Sequence, residues 1–122
     1  METMYAEIYN YNIKIYYNYK MEQDYKNILQ PFTYLNNNPG KNIRKKMINA
    51  FDIWLNIPVD KKKIINIIIN DLHTSSLLID DIEDNSIMRR GDKCSHLVYG
   101  IPLTINAANY VYFLALKKCK QL

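Results

Sequence analysis

Asp80, Asp81, Ile82, Glu83 and Asp84 place four carboxylates within five consecutive residues. On a helix, Asp80 and Asp84 lie about 40° apart on one face, so their side chains can converge. Crowding like charges costs stability, and crowding them into the last turn of a helix also opposes its dipole. A bound cation relieves both penalties. Mg²⁺ suits the pattern, because it takes one or two carboxylates and completes its shell with water and phosphate oxygens. A calcium loop is disfavoured, since its ligands surround a glycine on a loop. A solvated acidic helix end is the plain alternative.

Basic residues flank the acids. Arg89 and Arg90 follow shortly after, and Lys41 and Arg44 stand just behind Gly40. Their i, i+3 spacing sends Lys41 and Arg44 to one side at the start of a helix, where the dipole already attracts anions. A guanidinium fork matches phosphate oxygens, and a lysine acts as a point charge. His73 lies two turns before Asp80 on the same face and can donate a hydrogen bond to an anion. A lone histidine on an apolar helix is often a satisfied core residue, but this one sits on a polar stripe. Acids, arginines and a separate basic turn together describe a metal-bridged diphosphate beside a directly bound one.

The elements that carry these groups are helical. The chain has 122 residues, 48% of them hydrophobic, with only 3 Gly and 4 Pro, so one all-α domain with few breaks is expected. Residues 1–19 form a biased leader holding six of the 11 tyrosines, interleaved with Asn10, Asn12 and Asn18. The remainder, 20–122, reads as the folded part. Tyr25, Ile28, Leu29 and Phe32 recur at helical spacing up to a kink or end at Pro31. Asn36, Asn37, Asn38, Pro39 and Gly40 mark a loop. A second helix carries Ile43, Met47, Ala50, Phe51, Trp54 and Leu55 on one face until Pro58. A third, capped by Asp60, runs to about Asn85. Isoleucines and leucines cover most of its circumference, which predicts burial on most sides. Asn66, Asn70, His73, Ser76, Asp80 and Asp84 draw the polar stripe along it, as expected of a helix lining a cavity. After Gly91 and a short link, Pro102 opens a fourth helix from about Leu103 to Lys118, with Ala107 and Ala108 allowing close packing.

Charge and cysteines bound the function classes. A formal net charge of +4 suits an anionic partner, whether phosphate, nucleic acid or a membrane surface. Tyr, Asn and Lys in the leader could stack on a single-stranded nucleic acid, but the charges there are sparse and no nucleic-acid partner is expected. Cys94 and Cys119 lack the spacing of a zinc ribbon or a disulfide framework. No signal-peptide core and no transmembrane segment are visible, because Asn66, Asn70, Asp71 and His73 interrupt the richest apolar stretch. A cytoplasmic protein, compatible with peripheral membrane contact, is expected.

Gly40–Arg44 reads G-K-N-I-R, and His73–Gly91 reads H-T-S-S-L-L-I-D-D-I-E-D-N-S-I-M-R-R-G. Together with Tyr99, Gly100, Ile101 and Pro102 through Ile105, Asn106, Asn109, Tyr110 and Phe113, they resemble the geranylgeranyl diphosphate synthases. These are trans-prenyl diphosphate synthases of the isoprenoid synthase fold. The likeness covers roughly residues 24–118 and is specific in order and spacing. It implies the N-terminal part of an all-α isoprenoid synthase bundle. It also implies a Mg²⁺-dependent, head-to-tail condensation of isopentenyl diphosphate with an allylic diphosphate such as farnesyl diphosphate. Carried over by residue, Asp80, Asp81, Asp84 and Arg89 would be catalytic, with Asp80 and Asp84 the Mg²⁺ ligands. Arg89 would hold the allylic diphosphate, and Lys41, Arg44, His73 and Arg90 would hold isopentenyl diphosphate. Ser75 and Ser76, one turn before Asp80, would line the chain-length pocket, where aromatic residues would stop growth early.

The likeness also has edges. Relatives continue well beyond this length and carry a second aspartate-rich motif, which residues 20–122 lack. Lys93 stands where relatives commonly have proline. A truncated piece is therefore expected, or alternatively a non-catalytic regulatory subunit or diphosphate-binding paralogue. A homo-oligomer, or pairing with a full-length relative, is the expected assembly.

Overall fold

Three helices start at prolines, Pro31, Pro58 and Pro102. The computed structural model describes residues 2–38 and 40–122, the side chains of residues 2–10, 12, 17 and 19 excepted. Pro39 of the expected loop, and the side chains of Tyr5, Tyr9, Tyr17 and Tyr19 in the expected leader, lie outside the described residues. Helix α1 spans Glu2–Ile28 and α2 spans Gln30–Asn36, with Pro31 in the first turn of α2. Helix α3 spans Ile43–Leu55, α4 Val59–Glu83 directly after Pro58, and α6 Ile101–Cys119 with Pro102 in its first turn. A proline lacks the N–H that a helix interior needs, and its fixed φ suits the first turn. Between α4 and α6 lie strands β1 (Met88–Arg89) and β2 (Asp92–Lys93), an antiparallel hairpin, and the short α5 (Ser95–Tyr99). The described residues form an all-α fold, as the composition led us to expect, with one minimal hairpin that it did not announce.

The core is an antiparallel pair, α4 on α6. On α6, Thr104, Ala107, Ala108, Val111 and Ala115 are buried, a stripe at three- and four-residue spacing. The alanines leave the backbones room to approach. The facing side of α4 buries Ile68, Asp71, Thr74, Ser75, Leu78 and Asp81. Leu35 of α2 joins Leu78 and Ala108 in the central cluster, with Phe32, Leu77 and Ile79 against it. Two ties fix the helix directions: Lys61 donates to the Gln121 carbonyl at 2.6 Å, and Lys118 pairs with Asp71. Ser95 of α5 donates to the Pro31 carbonyl at 3.1 Å, binding α5 to α2.

Two expectations change, both on α4, while α1 runs as one continuous helix through residue 19. Lys26 pairs with Glu22 at 3.0 Å, and Tyr25 meets Tyr110 edge-on at 5.7 Å. Asp60 is not the cap of α4. Pro58 holds that position without a side-chain hydrogen bond, and Asp60 sits in the first turn, where its charge still favours the dipole. Nor is α4 buried on most sides, since Ile67 and Leu72 are exposed on the side away from α6.

Helix α3 stands apart. Among the described residues, its side-chain hydrogen bonds and ion pairs to the rest run through Asp52, which takes Lys62 at 2.6 Å and the Ile57 N–H at 2.7 Å. The Lys62 hydrogen bond, then the backbone one, holds the Asp52 carboxyl below its ordinary range. The apolar face expected on α3 is real, yet Ile43, Met47, Phe51, Trp54 and Leu55 are all exposed, Trp54 by 76%.

Candidate functional site

The turn after α4 builds the acidic half of the site. Asp84 closes the helix, its N–H returning to the Asp80 carbonyl at 2.9 Å, and Asn85 turns the chain with φ 51°. β1 then runs back along the end of α4 and delivers Arg89 to the carboxylates. Arg89 Nε donates to Asp81 Oδ1 at 2.7 Å and Nη2 to Asp80 Oδ2 at 2.8 Å. Asp81 is fully buried, whereas Asp80 and Asp84 are exposed. The Asp81 hydrogen bond is the main reason the Arg89 guanidinium is raised above its ordinary value, with the Asp80 charge adding to it. Cys94 lies beside Asp81; burial first, then the carboxylate, pushes its thiol up to about 11, so it stays protonated.

The basic half is a cleft of about 830 Å³ between the start of α3 and the outer face of α4. Lys41, Arg44, His73, Arg89 and Arg90 all line it, with Asn66 and Asn70 of the polar stripe and Asp71. Lys41 precedes the first helical residue instead of opening the helix, and Asn42 makes the entry in a left-handed conformation at φ 54°. That brings Lys41, Arg44 and the first turn of α3 to one wall. Asn70 donates to Asn36 Oδ1 at 2.9 Å, fixing the far rim to α2.

The electrostatics of the cleft are those of unneutralised cations. His73 lies below its ordinary 6.5, first through burial and then through Arg44, Arg90 and Arg89. It is therefore uncharged at neutral pH. Arg90 is lowered too, by burial and then by Arg89 and Arg44. Both groups are displaced in the direction that an incoming anion would reverse.

Five of the basic residues singled out from spacing thus meet in one place. Asp80 joins them through Arg89, and Asp84 lies one turn on. Ser75 and Ser76 separate: Ser75 is wholly buried toward α6, with no hydrogen-bond partner for its hydroxyl among the described residues, while Ser76 is exposed. Asn38, which sequence reasoning marked only as a loop residue, bonds Arg90 of the cleft wall. Its Asn-rich surroundings carried no signal for that.

For a divalent ion the donor set is two exposed carboxylates on one helix face, Asp80 and Asp84. That fits Mg²⁺, which needs few protein ligands and favours phosphate oxygens nearby. It suits zinc less well, since zinc sites use three or four protein ligands drawn mostly from His and Cys. Among the described residues no group of three or more His, Cys, Asp or Glu converges as a metal cage.

The polyprenyl synthetase family model matches residues 25–122. The chain belongs to that family. It is 59% identical over 95 residues to a terpene synthase of Matsumurasca onukii, covering 78% of this chain and 31% of that protein. It is 55% identical over 95 residues to the geranylgeranyl pyrophosphate synthase of Mucor circinelloides f. lusitanicus, with the same coverage. Against the geranylgeranyl pyrophosphate synthase of Dictyostelium discoideum it is 45% identical over 111 residues, 91% of this chain and 37% of that one. The chain thus spans about a third of the length of these curated relatives. No helix among the described residues is long and apolar enough to cross a membrane.

Proposed function

We propose that this chain provides the diphosphate-handling half of a geranylgeranyl diphosphate synthase-type prenyltransferase. The reaction joins isopentenyl diphosphate head-to-tail to an allylic diphosphate, with farnesyl diphosphate the fitting primer. The carbon–oxygen bond of the allylic partner breaks, its carbon bonds to the isopentenyl double bond, pyrophosphate leaves and a proton is lost. The observation that carries this reading is the gathering of Lys41, Arg44, His73, Arg89 and Arg90 around one cleft that abuts Asp80.

In this reading Asp80 and Asp84 hold Mg²⁺, which when bound would neutralise charge on the departing pyrophosphate. Arg89 moves from Asp80 to the allylic diphosphate while Asp81 keeps hold of its Nε edge. Lys41, Arg44, His73 and Arg90 grip the diphosphate of isopentenyl diphosphate, leaving its hydrocarbon end to point toward the allylic carbon. Preorganised cations of this kind act where charge develops, which is where most of the acceleration is gained. Ser76, on the open face below Asp80, would leave room for a long product. The exposed apolar face of α3 supports assembly with a second copy or a full-length relative, in the cytoplasm.

The test is prenyl transfer. Purified chain with Mg²⁺, labelled isopentenyl diphosphate and farnesyl diphosphate is expected to form labelled geranylgeranyl diphosphate, and Asp80→Ala to abolish it. A folded, helical chain that forms no product would sink the catalytic reading for this polypeptide.

A further inference from the structure

Arg90 is held in a way its neighbour is not. Arg90 and Gly91 are the two loop residues of the hairpin, between paired Arg89 and Asp92, and both are left-handed, at φ 55° and 92°. Such a turn favours Asn-Gly or Gly-Gly, and a long side chain at its first position is disfavoured. A residue kept in that conformation needs surroundings that over-determine it.

Two residues before the basic turn supply them. Arg90 Nη1 donates to the Asn38 carbonyl at 2.6 Å. The Asn38 carboxamide donates back to the Arg90 carbonyl at 3.4 Å and also to the Asp92 carboxylate. Gly40 completes the fit: a β-carbon there would lie 3.2 Å from Arg90 Nη2 and 3.3 Å from Cζ and Nε. Arg90 thus uses the missing side chain of Gly40.

We propose that Asn38 and Gly40 are positioning residues that fix the Arg90 guanidinium on the cleft wall and so set the affinity for the isopentenyl diphosphate. This rests on the diphosphate reading of the cleft. A strained turn aims the side chain, the Asn38 carbonyl stops it swinging into solvent, and Gly40 lets it lie flat against the chain. The geometry is specific to a planar, forked cation, so lysine at position 90 would not replace it.

The test uses the 122-residue chain with Asn38→Ala, Gly40→Ala, Arg90→Ala and the two doubles with Arg90→Ala. Calorimetric titration with isopentenyl diphosphate, and with inorganic pyrophosphate as the headgroup alone, is read beside the NMR signal of the Arg90 Nε–H. Asn38→Ala keeps the backbone carbonyl but loses the carboxamide bonds to the Arg90 carbonyl and Asp92, and Gly40→Ala presses a methyl group against the guanidinium. Each is expected to weaken both ligands about fivefold, the order of one neutral hydrogen bond. Each should shift the Arg90 Nε–H, leave helix content unchanged, and add nothing on the Arg90→Ala background. Equal losses with and without Arg90, or an unmoved Nε–H signal, would overturn the clamp while leaving the cleft reading intact. A shifted Nε–H in a chain that binds neither ligand would show the clamp is real but the cleft reading, and the affinity role with it, is wrong.

Discussion

Two adjacent arginines at one hairpin live in opposite fields. Arg89 turns inward to Asp81 and Asp80 and is raised above its ordinary value, its charge already answered. Arg90 turns the other way, into the cleft wall, and is lowered by burial first and then by Arg89 and Arg44. One side of the site surrounds its cation with carboxylates; the other gathers Lys41, Arg44 and Arg90, where the Asn38 carbonyl is the partner of the Arg90 guanidinium among the described residues. The first arrangement contributes to folding. The second costs the folded chain something and is repaid only when an anion arrives.

The largest effect that could break this contrast is on stability. Asp81→Ala removes the buried partner of Arg89, and breaking a buried pair from one side costs about 3 kcal/mol. Asp84→Ala removes an exposed carboxylate at a helix C-terminus, where a negative charge is unfavourable, so it should be neutral or slightly stabilising. Urea unfolding of the two variants measures the difference. Similar losses for both would mean that the acidic turn is not divided into a structural and an open half.

Next in size is a binding effect on the other side. Arg44→Ala is expected to leave the unfolding midpoint unchanged and to weaken pyrophosphate by about 1.5–3 kcal/mol, the range for a charged hydrogen bond. The affinity should also fall as salt is raised. An Arg44→Ala chain that binds pyrophosphate as tightly as before would remove the basic turn from the site.

Much of this division was legible in the sequence, and the illegible parts have physical reasons. Pro58 and Pro102 mark the starts of α4 and α6 because proline cannot be placed deeper in a helix. The i, i+3 spacing of Lys41 and Arg44 put them on one wall even though Lys41 proves to lie outside the helix. The hairpin was missed because strands of two residues are too short to alternate, and an Arg-Gly turn is not one of the favoured pairs. The inward side of α4 was missed for a different reason. Asp71, Thr74, Ser75 and Asp81 are polar yet buried, so the visible polar stripe was the solvent side of the helix, not its only polar side. Partners such as Lys118 for Asp71 stand 47 residues away, which no local pattern can show.

A smaller effect is set by pH. His73 is depressed in the fold, so between 6.5 and its folded value the unfolded chain binds more protons than the native one. Stability should therefore rise as pH increases through that window and fall as pH drops. A bound diphosphate offsets the repulsion from Arg44, Arg89 and Arg90 and raises the histidine again. Binding then takes up a proton and tightens as pH falls below neutral. The ligand also titrates, so the comparison is with His73→Gln, in which only the ligand's share remains. Matching pH profiles for the two proteins would show that His73 does not face the anion.

The smallest effect sharpens the contrast between the two serines. Ser75 is wholly buried and its hydroxyl finds no partner among the described residues. A buried hydroxyl left unsatisfied is a net cost, so Ser75→Ala should be neutral or stabilising by up to about 1 kcal/mol. Ser76 donates to the His73 carbonyl at 2.8 Å from the exposed face, and Ser76→Ala should change stability by only a few tenths of a kcal/mol. Phenylalanine separates them further. At 75 it overpacks the α4–α6 seam at a cost of about 1–3 kcal/mol, whereas at 76 it enters open space below Asp80. If product length is limited on that face, Ser76→Phe shortens the product without lowering the unfolding midpoint. Ser75→Phe would instead lower the midpoint whatever it does to the product. Shortening by Ser75→Phe at unchanged stability would put the chain-length wall on the α6 side of α4.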